Sequence, residues 1–126
     1  MVFTAPCSQW SEWSAAVVTA KAIYVGYSNN TMYSLNPKTG EVQWQFRTED
    51  WATTAPMLSD GALYFGVGAH ANQAQPEEDR LFYALGAKTG QELWTFKSDG
   101  PVFASATLGN GMIFFKTLNS VLYALH

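Results

Sequence analysis

The side chains best equipped for chemistry crowd one stretch, GAHANQAQPEEDR at 68–80, which carries His70, Asn72, Glu77, Glu78, Asp79 and Arg80. An imidazole, an amide and three carboxylates could hold a cation, and the acidic run could meet a basic partner. Metal-ligating sets recur at defined intervals, however, and Gln-Pro-Glu-Glu-Asp has none of them. Ala, Gln, Pro and clustered acids also suit a solvated loop. The segment is therefore a possible interaction loop on a rigid scaffold, with no metal assigned to it. Cys7 is the one cysteine, so no intrachain disulfide exists, and neither His70 nor His126 sits in a nucleophile context. No catalytic residue is assigned.

Two other stretches share chemistry-bearing types at fixed spacing. TMYSLNPKTGEVQWQF (31–46) and LFYALGAKTGQELWTF (81–96) lie fifty positions apart and repeat Tyr, Leu, Lys-Thr-Gly, Trp and Phe in order. A tryptophan four residues after a Thr-Gly turn, twice in 126 residues, marks either a duplicated site or an architectural seam.

The elements that must position these residues follow from the rest of the chain. Its length suits one domain, and its composition is 48% hydrophobic, 15% aromatic and only 13% charged, which excludes disorder. A net charge of −3 with no Lys/Arg cluster argues against a nucleic-acid surface. No run approaches the roughly 18 apolar residues of a membrane span. MVFTAPCSQW lacks the basic and apolar regions of a secretion signal, so the compartment is unread from this end.

AIYVGY (22–27), ALYFGV (62–67) and MIFFKT (112–117) align as one strand in three copies, and MYSL (32–35), FYAL (82–85) and LYAL (122–125) as the next. The unit is about forty residues, with ten more inserted within 67–80 of the second copy. Each unit consists of short β-branched and aromatic runs separated by turn residues. Asp60-Gly61 and Asn110-Gly111 are two-residue hairpin signals, whereas Ala20-Lys21 requires a different turn. Gly40 and Gly90 stand where a left-handed residue is cheap. The strands are apolar at consecutive positions, as strands covered on both faces are. The fold class is all-β: four-stranded antiparallel β-propeller blades forming an incomplete ring in one chain. A β-sandwich would not explain so regular a repeat.

Within 1–126, blade 1 is expected over 14–48, blade 2 over 53–98 with its insertion at 68–80, and a partial blade 3 over 103–126. Trp44 and Trp94 are staples between sheets, each ring burying about 150–250 Å² with its indole donor on a turn carbonyl. Phe46, Phe96, Tyr33, Tyr83 and Tyr123 carry the same architectural meaning. The last strand, around 121–125, exposes an apolar edge that invites pairing with another chain. Val2–Thr4 of a second copy is a candidate to fill it, two copies then giving a six-bladed ring.

The pattern Ala/Ser-Leu-x-x-Lys-Thr-Gly-x-x-x-Trp-x-Phe, with its preceding strands in register over 14–126, resembles the tryptophan-docking repeat of pyrroloquinoline-quinone (PQQ) type propellers. The resemblance implies that Thr39-Gly40 and Thr89-Gly90 turn the chain into the outer strand, while Trp44 and Trp94 pack against a neighbouring blade. Where that family often has an aspartate, this chain has Asn36 and Gly86, a change expected to loosen a turn hydrogen bond.

The family includes PQQ- and calcium-dependent quinoprotein dehydrogenases, commonly with adjacent cysteines that a single Cys7 cannot supply. It also includes the periplasmic lipoprotein of the outer-membrane assembly machinery and sensor domains of bacterial receptor kinases. The expectation is a non-catalytic, extracytoplasmic scaffold with no cofactor, binding a protein partner or its own copies and neither nucleic acid nor a membrane. The alternatives are a fragment of a dehydrogenase and a small-ligand or glycan-binding ring, to which Trp10, Trp13 and Trp51 would lend stacking surfaces.

Overall fold

In the computed structural model the described residues are 14–27, 30–48, 55–67, 80–100, 102, 106–117 and 120–125. They form eleven strands and no helix. The first sheet holds β1 (Val17–Val18), β2 (Ile23–Tyr27), β3 (Thr31–Leu35) and β4 (Val42–Arg47), in chain order. The second repeats this with β5 (Met57–Ser59), β6 (Ala62–Gly66), β7 (Arg80–Gly86) and β8 (Glu92–Ser98). The third holds β9 (Thr107–Gly109), β10 (Met112–Lys116) and β11 (Leu122–Leu125). Every strand pair is antiparallel. These are all-β, antiparallel propeller-type sheets that do not close into a ring.

Turn chemistry accounts for the meander. Asp60 and Gly61 have φ of 50° and 77°, and Asn110 and Gly111 have 51° and 74°. Two successive positive φ values are those of a type I′ hairpin, whose twist matches that of the strands it joins. The first sheet uses another device: the Thr19 hydroxyl accepts from the backbone N–H of Lys21 (3.2 Å) and of Ala22 (3.0 Å). A side-chain oxygen there replaces the carbonyl of a tight turn, so Ala20 and Lys21 need no positive φ.

The consecutive apolar residues of the middle sheet are divided between two cores. Tyr83 and Leu85 join Tyr24, Met32, Leu63, Phe65 and Val67 between the first and second sheets. Phe82, one residue out of phase, joins Val102, Ile113 and Phe115 between the second and third. A strand sends alternate side chains to opposite faces, so a sheet covered on both sides must be apolar at every position. Phe65, Phe82, Leu63 and Leu85 are fully buried. The third sheet fits closely: a Cβ on Gly66 would run into the Val102 side chain, and the Val102 N–H donates to the Val67 carbonyl at 3.1 Å.

The outer strands β4 and β8 have the reverse character, with Val42 and Leu93 more than half exposed. Both are entered through the same irregularity, a register shift between Ser34 and Leu35 and again between Ala84 and Leu85. The repeat therefore extends to the bulge that precedes each Lys-Thr-Gly turn.

Candidate functional site

The doubled Lys-Thr-Gly-x-x-x-Trp-x-Phe segments lie at the contacts between successive sheets. Both turns have the same skeleton. Gly40 donates to the Asn36 carbonyl and Gly90 to the Gly86 carbonyl, each at 2.8 Å, with φ of 77° and 74° at the two glycines. The Thr39 hydroxyl accepts from the Glu41 N–H at 3.2 Å, and that of Thr89 from the Gln91 N–H at 3.3 Å. In the first turn Asn36 Oδ1 also accepts from Lys38 (2.8 Å) and Thr39 (3.2 Å). The expectation of a loosened hydrogen bond at Asn36 is corrected by that geometry, because an amide oxygen accepts backbone N–H groups as a carboxylate does. Gly86 has no side chain to make the equivalent bonds.

Trp44 crosses from the first sheet to the second. Its Nε1–H donates to the Ala87 carbonyl at 2.9 Å. Its ring lies over Gly90, so that a Cβ there would sit 2.5 Å from Cδ2. Gly90 thus answers two demands at once, a positive φ and a surface flat enough to take an indole. The other face of the repeat behaves alike: Phe46 meets Tyr83 edge-on with centroids 5.5 Å apart, and Phe96 meets Tyr123 edge-on at 5.3 Å. Phe65 stacks on Tyr83 and Phe115 on Tyr123.

Trp94 shares the sequence position of Trp44 but not its surroundings. It leans on Tyr64 (5.9 Å) and Phe82 (6.3 Å), yet 38% of it is exposed. Its indole N–H has no hydrogen-bond acceptor among the described residues. Instead it lines a cleft of about 630 Å³ with Tyr64, Phe96, Leu108, Gly111 and Leu125. The matching cleft between the first and second sheets, about 760 Å³, is lined by Ala87 and Lys88 of the turn and does not reach Trp44. The turn that covers one tryptophan has no described counterpart over the other.

His70, Asn72, Glu77, Glu78 and Asp79 lie outside the described residues, as do Val2–Thr4, Trp10, Trp13 and Trp51. Of the expected interaction loop only Arg80 enters the description, as the first residue of β7 opposite Ser98. Among the described residues no three His, Cys, Asp or Glu side chains could hold a metal ion. Among the same described residues no helix is long and apolar enough to cross a membrane.

The turn carbonyl expected for the indole donor of Trp44 is that of Ala87. Sequence reasoning passed over one contributor. Asp99 accepts from the Thr117 hydroxyl at 2.8 Å while its N–H donates to the Tyr123 hydroxyl at 3.1 Å, tying the end of the second sheet to the third. Its counterpart fifty positions earlier is Glu49, and this acidic position just past the Trp-x-Phe segment was not singled out.

Residues 6–74 match a PQQ-type family described as outer membrane protein assembly factor BamB. The chain belongs to this family. No curated protein sequence matches at a significant level. Among solved structures, the fold is similar to quinohemoprotein alcohol dehydrogenase ADHIIG from Pseudomonas putida HK5. That likeness has a TM-score of 0.66 and 18% identity over 79% of this chain and 20% of that one. A europium-containing methanol dehydrogenase is similar at a TM-score of 0.60 and 15% identity, over 92% of this chain and 26% of the other. The chain spans about a fifth and a quarter of these two proteins, and at such identities the likeness is one of fold.

Proposed function

We propose that this PQQ-type propeller segment is a non-catalytic scaffold for protein interaction outside the cytoplasm. Its ring is completed by further blades, either of its own copies or of a longer protein. The observation that carries the reading is the Trp44 seam. Trp44 and Gly90, which first suggest a duplicated site, are occupied in joining one sheet to the next, and Thr89 braces the turn on which Trp44 sits. The family description, an assembly factor for outer membrane proteins, supports a protein-binding role and an extracytoplasmic setting. Light scattering across micromolar concentrations tests self-completion: a dimer or larger closed assembly is expected, and a monomer throughout overturns that part.

The fold likeness to two dehydrogenases favours a second reading, a fragment of a PQQ- and calcium-dependent enzyme. Calcium takes about six to eight oxygen ligands with several carboxylates among them. The described residues do not fit that demand, since no such group converges and Asp99 is engaged with Thr117. Titration with PQQ and calcium separates the two readings. Stoichiometric micromolar uptake favours the enzyme fragment; no heat of binding favours the scaffold.

A further inference from the structure

Positions that recur in every unit serve the architecture, so polar residues that depart from the repeat call for another explanation. Three of them form one hydrogen-bonded chain in the first sheet. Ser34, 1% exposed, donates through its hydroxyl to Gln43 Oε1 at 2.8 Å, and Gln43 Nε2 donates to the Lys21 carbonyl at 3.0 Å. The corresponding residues of the second sheet are Ala84, Leu93 and Gly61, none with a polar side chain. Gln43 is the residue that the bulge between Ser34 and Leu35 leaves without a partner on β3, and a bulge re-aims the side chain it carries. Gln43 thereby holds the β1–β2 turn, already fastened by Thr19, and sets Lys21 at the cleft between the first and second sheets.

That cleft, about 760 Å³, falls within the range of about 300–1,000 Å³ usual for small-molecule sites. Ala22, Leu58 and Ala87 give it an apolar surface. Tyr24 also lines it and is only 6% exposed, its ring 6.1 Å from that of Trp44. Among the described residues no fully enclosed side-chain nitrogen or oxygen lacks a partner. The Tyr24 hydroxyl has none there, so it opens onto the cleft. Lys88, from the turn that receives Trp44, adds a second ammonium to that of Lys21, and Asp60 is the one carboxylate among the described lining residues. Two cations against one anion leave an excess of positive charge, and Asp60 is exposed on its hairpin, where solvent screens its repulsion.

We propose that this cleft binds a small organic anion, a carboxylate on an aromatic or aliphatic body. The body lies on Ala22, Leu58 and Ala87, and the carboxylate accepts from the Tyr24 hydroxyl and from the ammonium groups of Lys21 and Lys88. A hydrogen bond to an ionised acceptor is about twice as strong as a neutral one, so the phenol fixes the orientation of the head group. Ser34 and Gln43 are positioning residues that act through the Lys21 turn. The site is additional to the protein-binding role and does not rest on it.

The probe is hydrocinnamate, titrated at neutral pH into the full chain labelled with ¹⁵N, with hydrocinnamyl alcohol and inorganic phosphate as controls. Saturable shifts are expected at the amides of Lys21, Ala22, Gly61 and Lys88. The alcohol keeps the body and loses the charge, and should bind about tenfold more weakly. Phosphate, without the body, should leave these amides unmoved at the same concentration. Tyr24→Phe should weaken hydrocinnamate binding about tenfold, the loss of one hydrogen bond to a charged group. Lys88→Gln should weaken it about threefold, the share of one exposed ammonium. Gln43→Leu, which gives the first sheet the residue of the second, should abolish the Lys21 shift and keep that of Lys88. Absence of shifts at millimolar hydrocinnamate, shifts centred on the Trp94 cleft, or equal affinity for acid and alcohol would each overturn the proposal. So would phosphate moving the same amides with the same affinity, or Lys88→Gln, which alters only an exposed side chain, binding as tightly as the parent chain.

Discussion

Gly90 and Gly111 have the same φ of 74°, so replacing each by alanine isolates what the Trp44 contact contributes. At Gly111 an added Cβ meets nothing within 4 Å. Gly111→Ala should therefore carry only the penalty of a left-handed alanine, partly offset by a less flexible unfolded chain, about 1 kcal/mol. At Gly90 the Cβ would lie 2.5 Å from Cδ2, 2.7 Å from Cε3 and 2.9 Å from Cγ of Trp44. The indole cannot swing aside without losing its 2.9 Å hydrogen bond to Ala87. Overpacking of this kind adds about 1–3 kcal/mol, bringing Gly90→Ala to about 2–4 kcal/mol in all. Urea unfolding of the two variants, with m-values compared to confirm an unchanged transition, measures the difference. A gap below about 0.5 kcal/mol, or Gly111→Ala as the costlier change, would refute the packing of Trp44 on this turn and with it the assignment of the motif to the seam.

Trp44→Phe should cost at least about 1–3 kcal/mol, because it leaves the buried Ala87 carbonyl without its indole donor. Trp94→Phe, at an exposed ring with no acceptor, should stay within about 1 kcal/mol on the same denaturation curve. Asn36→Ala should lose about 0.5–1.5 kcal/mol by removing the acceptor for Lys38 and Thr39. Gly86→Asn should gain about 0.5–1 kcal/mol in thermal unfolding, since its φ is not positive and the side chain can rebuild that turn once the Thr89 hydroxyl, 3.2 Å from the new Cβ, shifts slightly. Burial raises the pKa of Tyr24 above its usual 10.0. The folded state then holds its proton after the unfolded chain has released it, so stability is complete below pH 10 and falls as pH rises further. Tyr24→Phe should lessen that alkaline decline in urea midpoints measured from pH 8 to 11.

The repeat was legible because its signals are local. Asp60-Gly61 and Asn110-Gly111 dictate hairpins through φ preferences that need no partner. Continuous apolar runs such as Leu81–Leu85 announce a sheet covered on both faces, and Phe82 and Tyr83 do turn to opposite cores. Other features needed three dimensions. Thr19 replaces a glycine turn with its hydroxyl, and Asn36 stands in for an aspartate, both through hydrogen bonds that residue type permits but does not compel.

The sequence by itself determined the strands, their turns and the period at which they recur, since each follows from backbone preference and alternation along the chain. Only the tertiary structure decided what the two matched tryptophans do. Identical local motifs place both side chains on an outer strand, but burial and hydrogen bonding depend on what the neighbouring sheet presents. Trp44 meets the Ala87 carbonyl and the bare face of Gly90, while Trp94 meets an open cleft. A partner forty-three residues away along the chain is a fact of packing that spacing within one repeat cannot contain.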